Sequence, residues 1–403
     1  MQDHDEWQVA GIQAILISGE PKRLSSSLAP FDRKGTHMDP SYRIRHIDTL
    51  ETPALVFYEE KIQENIARIG KLLGGYDRLR PHIKTHKCRE ILDMQMAAGV
   101  SRVKCATPKE VHLAAQAGLK DILLAYPIVG PLAHHVATIQ RDYPSLMLHV
   151  LVDHPAQVEP LANACVAMRA EVGVMVDVNS GMNRTGIEAG AEACALVNLI
   201  RKTRGVRFEG LHSYGSPPAP GGPRDREPVY RRALQTVIDT RTALEKLGVR
   251  VPRVVAGNSM DFALAATMAG IDEVSPGTWI LWDKGYETLL PDHFAYAALV
   301  VGRVISRPSP VLFAVDAGYK SVSADPAIPH AQVLSTPGSE VVGRWEEHLL
   351  VRLATPSPEP AVGAPAYIVP VHVCSTVGLW DEAVVVDSRG EIMGRWQIAA
   401  RGH

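Results

Sequence analysis

The chain has 403 residues, enough for two or three domains at roughly 150 residues each. Apolar residues make up 46% and charged residues 21%, as in an ordinary globular protein, and 42 basic against 44 acidic residues leave a net charge of −2. That balance excludes an electrostatic case for nucleic acid or an anionic membrane as partner.

Residues 1–40 read as a loose N-terminal extension rich in Ser, Pro and Gly, with Met38 as an alternative start. The opening "MQDHDEWQVAGIQAILISGE" is apolar only over 9–17 and carries acids where a secretory signal needs bases. Nowhere does an apolar run approach the ~18 residues of a membrane span. The five cysteines (Cys88, Cys105, Cys165, Cys194, Cys374) are scattered and lack CxxC spacing. They read as reduced thiols of a cytoplasmic protein.

From residue 50 one rhythm sets in. "ALVFY" (54–58) predicts a strand, and "EEKIQENIARIGKLLGG" a helix with Ile62, Ile66, Ile69 and Leu73 at helical spacing before a Gly-Gly stop. Further strand candidates are "RLRPHIK", "RVKCAT", "DILLAYP", "LMLHVLVD", "EVGVMVDVN", "FEGLHSY" and "PRVVAGNS", each followed by helical material. Roughly eight βα units in ~240 residues predict a (β/α)8 TIM-type barrel over residues 41–295. An open doubly wound sheet fits less well, because neither GxGxxG nor GxxxxGK[ST] occurs. After residue 295 the runs "YAALVVGRVISRP", "VLFAVDAG", "EHLLVRLAT", "AYIVPVHV" and "EAVVVDS" are joined by Pro/Gly turns without helices. They predict a C-terminal β-rich domain over 296–403.

In parallel barrels chemistry gathers at the carboxyl ends of the strands. Lys84, Arg184, Tyr214, Asn258 and Ser259 fall at or just after such ends. Lys84 stands between His82 and His86 in "RLRPHIKTHKC" (78–88). A solvated lysine is the bland explanation. An amine that forms a Schiff base is the sharper one, and it calls for a proton affinity lowered by burial or by Arg80, His82, His86 and Lys87. Metal ligation by the two histidines is disfavoured by the cation between them. His372 and Cys374, two apart on the predicted strand "VPVHVCSTV", would leave the same face and could share a metal.

The strings "TPALVFYEEKIQENIARI", "LRPHIKTHK", "DILLAYPIVG" and "VDVNSGMNRTGI" resemble the D-threonine aldolase and D-serine dehydratase family of alanine-racemase-like enzymes. The likeness runs over roughly residues 45–400. It implies a barrel followed by a β domain, with pyridoxal 5'-phosphate held by Lys84 and Arg184 at the cofactor ring or the substrate carboxylate. Tyr214 would pack on the cofactor. His212 stands where the aldolases usually carry Gln, and with Lys84 and His82 completes the candidate catalytic set. Phosphate contacts would come from Gly257, Asn258 and Ser259, in a string less glycine-rich than is usual for the family, and from Gly277, Thr278 and Tyr286. The resemblance places a metal pair at His372 and Cys374. The thiolate favours zinc, with manganese or magnesium as alternatives.

The implied activity is a metal-assisted lyase acting on D-3-hydroxy amino acids, first a D-threonine aldolase and alternatively a D-serine dehydratase. A racemase and a non-catalytic cofactor carrier are further alternatives. The partners implied are a small D-amino acid and a second copy of the chain, in a homodimer with the active site near the subunit interface.

Overall fold

The computed structural model describes residues 38–217, 219 and 221–402. The loose extension expected over 1–40 therefore lies, except for its last three residues, outside the described residues. Seven parallel strands stand in sequential order: β2 (Arg102–Cys105), β3 (Asp121–Pro127), β4 (Met147–Val152), β5 (Val172–Asp177), β6 (Val206–His212), β7 (Val254–Ala256) and β8 (Glu273–Val274). Helices separate them, from Pro108–Gln116 after β2 to Pro223–Lys246 after β6.

Residues 79–82 close this curled sheet. Leu79 bridges to Val274 on one side and His82 to Lys104 on the other. The Arg80 N–H donates to the Val274 carbonyl at 2.9 Å, and the Lys104 N–H donates to the Pro81 carbonyl at 2.9 Å. Pro81 has no N–H to offer, so the segment bridges its neighbours without forming a regular ladder. The barrel expected from the sequence is present, with its lysine-bearing strand as the irregular eighth member.

Inside the barrel Leu123, Leu151, Met175 and Val255 form an apolar layer. Below it, at the amino ends of the strands, lies an ionic cluster. Arg80, fully buried, pairs with Asp121 at 2.8 Å and Glu273 at 2.5 Å, while Arg102 and Arg253 approach the same carboxylates at 2.7 and 3.0 Å. Above it, at the carboxyl ends, lie the groups described below.

The strand at 54–58 departs from the sequence reading. β1 (Ala54–Tyr58) does not open the barrel. It pairs in parallel with β15 (Glu382–Val386) and antiparallel with β9 (Ala298–Ser309), in the sheet ordered β12 (Glu340–Arg344), β13 (Leu349–Arg352), β10 (Leu312–Val315), β9, β1, β15, β16 (Ile392–Gln397). All five residues of "ALVFY" are buried, which an interior strand of either sheet would satisfy. The helical spacing that follows is real, in helix Glu59–Leu73, but it does not say which sheet the preceding strand joins.

A second departure is local. β14 (Pro365–Pro370) ends before His372, which precedes a short helix, Val373–Val377. His372 and Cys374 are therefore not alternate residues of a strand. The β-branched run "VCSTV" favours extended chain, yet buried Asp283 accepts the Val373 N–H at 3.1 Å and the Thr376 hydroxyl donates to the His372 carbonyl at 2.9 Å. A partner 90 residues away decides the conformation.

Candidate active site

Lys84 lies in the 3-10 turn Ile83–Thr85, just past the closing segment. The turn is capped from both sides. The His82 Nδ1 accepts the Lys84 N–H at 3.4 Å, and the Lys87 amine donates to the Lys84 carbonyl. Lys87 adopts φ +51°, a left-handed conformation uncommon for a residue with a side chain, and so turns its amine back under the loop.

The Lys84 amine reaches the ring of Tyr214, 5.3 Å from its centroid, and the Arg184 guanidinium carbon lies 5.5 Å from the same ring. Tyr214 raises the proton affinity of Lys84 most. Burial opposes it, and Cys374 adds to the rise. The lowered affinity expected from the sequence is thus reversed, because a phenol and a thiol face the amine more closely than the basic neighbours do.

His212, at the end of β6, is buried with both ring nitrogens engaged. Its Nδ1 lies 2.7 Å from an Asp177 carboxylate oxygen, and its Nε2 lies 3.0 Å from the Lys104 amine. The carboxylate accepts, so Nδ1 carries the proton and Nε2 accepts from the lysine. Burial, then the Lys104 amine, hold His212 below the usual histidine range. His82 is likewise depressed by burial first and by Lys84 and Lys104 next. Its ring meets Tyr214 edge-on at 6.5 Å.

Lys104 is the residue that sequence reasoning missed. It is 1% exposed, and its amine lies 4.3 Å from the Tyr214 centroid. The available signal was a lysine between Val103 and Cys105 in the short strand "RVKC", a charge flanked by apolar residues.

The phosphate candidates fall into two groups. The N–H groups of Gly277 and Thr278 converge on one oxygen, the Ser259 hydroxyl, at 3.1 and 3.0 Å. A Cβ on Gly277 would be a tight fit there, 3.1 Å from the Thr85 hydroxyl and 3.2 Å from the His82 carbonyl. Asn258 is turned inward instead: its N–H donates to Asp261 at 2.6 Å. Gly257 permits the turn, at φ +85°. Tyr286 joins the first group through a side-chain hydrogen bond with Thr278, and burial raises its phenol well above the usual range. The Ser275 hydroxyl, fully buried just past β8, has no hydrogen-bond partner among the described residues.

Cys374 connects these groups. Its sulfur lies 3.1 Å from the Thr85 hydroxyl and 3.5 Å from the Thr278 hydroxyl. Burial alone would push its thiol up; the hydrogen bond and charge of His372, with Lys84 and Thr85, bring it below the ordinary value. His372 is raised to about 9, first by its hydrogen bond to Cys374 and then, against burial, by Asp325. Asp325 contacts the His372 Nδ1 and accepts from the Ser375 hydroxyl at 3.0 Å. Among the described residues no group of three or more His, Cys, Asp or Glu side chains is placed to hold a metal ion. What the protein offers is the His372 and Cys374 side chains side by side, two donors that leave further positions on a cation open.

Residues 59–284 match the alanine racemase N-terminal domain, and residues 297–386 match a putative serine dehydratase domain. D-threonine aldolase from Arthrobacter sp. is 29% identical over 358 residues, covering 88% of this chain and 93% of that protein. D-threo-3-hydroxyaspartate dehydratase from Delftia sp. (strain HT23) is 27% identical over 356 residues, covering 81% and 92%. The crystal structure of D-threonine aldolase from Filomicrobium marinum superposes with a TM-score of 0.81 at 29% identity, over 87% of this chain and 95% of that one. With the alanine racemase N-terminal domain matched over more than half of the chain and the putative serine dehydratase domain following it, the chain belongs to the alanine racemase N-terminal domain family.

Proposed function

We propose that this chain is a pyridoxal-phosphate-dependent lyase of the D-threonine aldolase type, cleaving D-3-hydroxy amino acids to glycine and an aldehyde with the aid of a divalent metal. The observation that carries this reading is the 3.1 Å contact between Thr85 and Cys374. It sets the lysine-bearing turn of the barrel against the His372–Cys374 pair of the C-terminal part of the chain.

The residues present fit the cofactor. Lys84 supplies the amine, Tyr214 a flat face beside it, and the Ser259 hydroxyl, its oxygen held by the Gly277 and Thr278 N–H groups, an O–H donor for a phosphate oxygen. Arg184 offers a planar fork for the ring or the substrate carboxylate. Pyridoxal phosphate, when bound, supplies the electron sink for the carbanion left at Cα. His372 and Cys374 also fit a metal, as nitrogen and sulfur donors of the kind zinc takes, with manganese or magnesium as alternatives. A metal there would supply Lewis acidity at the substrate's 3-hydroxyl. The protein's own part is to hold the substrate between Arg184 and the pair while the Lys84 amine stands at the reacting end.

D-serine dehydration is the second reading, favoured by the thiolate in the pair and by the dehydratase among the relatives. Product analysis with D-threonine, D-serine and D-3-hydroxyaspartate separates the two: glycine plus an aldehyde supports the aldolase, a keto acid plus ammonia the dehydratase. Borohydride should fix the cofactor on Lys84, and Lys84→Ala should abolish turnover. A protein that takes up no pyridoxal phosphate would refute both readings. A homodimer with the site near its interface is part of this proposal, checked by sedimentation of the loaded protein.

A further inference from the structure

Lys87 has no part in the mechanism above, yet it stands in a conformation that glycine adopts more readily. At φ +51° its backbone is left-handed, which disfavours any side chain. A backbone outlier kept beside a reacting group points to a use for the side chain it carries. Here the side chain ends in an amine that turns back three residues to the Lys84 carbonyl. We propose that Lys87 is a positioning residue for Lys84, gripping the Lys84 carbonyl with its amine while its own carbonyl is gripped by the segment 398–401. The proposal rests on Lys84 as the cofactor lysine.

The turn that bears Lys84 is short, and short 3-10 turns have poor hydrogen-bond geometry of their own. The His86 and Lys87 N–H groups both go to the Ile83 carbonyl, at 3.2 and 2.9 Å. In a longer α-helix the N–H of residue 88 would return to the Lys84 carbonyl. Cys88 is instead extended (φ −119°, ψ 135°) and stands at the start of the next helix, Arg89–Ala97. The Lys87 amine supplies the donor that the helix does not. The peptide plane after the Lys84 Cα is thereby fixed, and with it the direction in which the Lys84 side chain leaves the backbone.

The grip on Lys87 comes from the C-terminal part of the chain. After β16, at the edge of the larger sheet, residues 398–401 cross back to the barrel. The Ile398 N–H donates to the Asp381 carbonyl at 2.8 Å, and the Ala400 N–H donates to the Lys87 carbonyl at 3.1 Å. Lys109, on helix Pro108–Gln116, donates its amine to the Arg401 carbonyl at 2.8 Å, and the Arg401 guanidinium pairs with Asp381. Ile398 and Ala400 are buried. Together with the Thr85–Cys374 contact, this holds the Lys84 loop at two points against the part of the chain that carries the proposed metal donors. A shift of that part reaches the Lys84 amine through Lys87.

The test compares the full chain with Lys87→Gly, Ala400→Pro and the two combined. Lys87→Gly suits the left-handed backbone and removes only the side chain, so its melting temperature should hold. Ala400→Pro removes the N–H that the Lys87 carbonyl accepts. In cofactor-free protein either variant should speed amide exchange in the peptide spanning residues 83–88 by about three- to tenfold, the worth of one hydrogen bond. Once loaded, either should lose most of the visible circular dichroism per mole of bound pyridoxal phosphate. Its kcat should fall by roughly 100-fold with KM little changed, as for a ~1 Å misplacement. In the combined variant the proline should add nothing to the loss of dichroism, because both changes act through Lys87. Unchanged dichroism and exchange in Lys87→Gly would overturn the proposal, as would additive losses in the combined variant. Losses that only track a fall in melting temperature would mean a merely structural residue and overturn it too. If the proline variant does not fold, Lys87→Gly decides alone. A wild type that attaches no pyridoxal phosphate to Lys84 would instead overturn the proposed function, and the exchange measurement would still decide what holds the turn.

Discussion

Asp325 contacts the Nδ1 of His372 and so leaves the other nitrogen for Cys374 or a metal. Outer partners of this kind orient a ligand and raise its basicity. Asp325→Ala should weaken zinc affinity by about 10–100-fold with the fold intact, measured by competition with a chelating dye. Cys374→Ala, which removes a ligand itself, should cost more. Equal affinities across the three proteins would place the metal elsewhere. His86 makes a different prediction. It is fully buried, and burial drives its imidazole from 6.5 down to about 3. The unfolded chain takes up a proton here that the folded one refuses, so stability complete above pH 6.5 is lost as pH falls toward 3. His86→Gln should flatten that part of the stability profile in denaturant titrations, and parallel profiles would remove His86 as its source.

Among the elements, the closing segment 79–82 depends on Arg80. That side chain sits between Asp121 of β3 and Glu273 of β8, two strands that a barrel must bring around to one another. Removing one member of a buried ionic cluster leaves the others charged and short of partners. Arg80→Met should therefore lower unfolding free energy by about 3 kcal/mol in urea titrations, even though Arg102 and Arg253 stay in place. A loss below about 1 kcal/mol would mean that those two arginines suffice. The short helix Val373–Val377 teaches a related lesson. Its sequence reads as strand, and the Asp283 carboxylate from the barrel side holds its first N–H.

At the scale of the whole molecule, the site has two owners. Lys84, Tyr214 and Ser259 belong to the barrel, and His372 and Cys374 to the C-terminal part of the chain. β1 ties the two together, since it is sequentially next to the first barrel helix but spatially in the other sheet. Chelation should then abolish lyase activity while cofactor content and colour stay unchanged, because the amine and the proposed metal donors are in separate elements. Activity should return with zinc. Full activity after exhaustive chelation would eliminate the metal-assisted readings and leave racemization to be tested.

The rhythm of short apolar strands and helices, read from residue 50 onward, determined the barrel, because periodicity and turn chemistry act within about ten residues. "RLRPHIKTHKC" likewise singles out Lys84 by the bases crowded around it. Tertiary structure alone decided which sheet took β1, since a fully buried strand satisfies either one. It also decided the direction in which the proton affinity of Lys84 shifts, upward, with Tyr214 the largest cause and Cys374 adding to it against burial. The contacts that define the site span 108 residues from Lys104 to His212 and 289 from Thr85 to Cys374. Local pattern carries no information on pairings of that length; burial and the closing of the barrel set them.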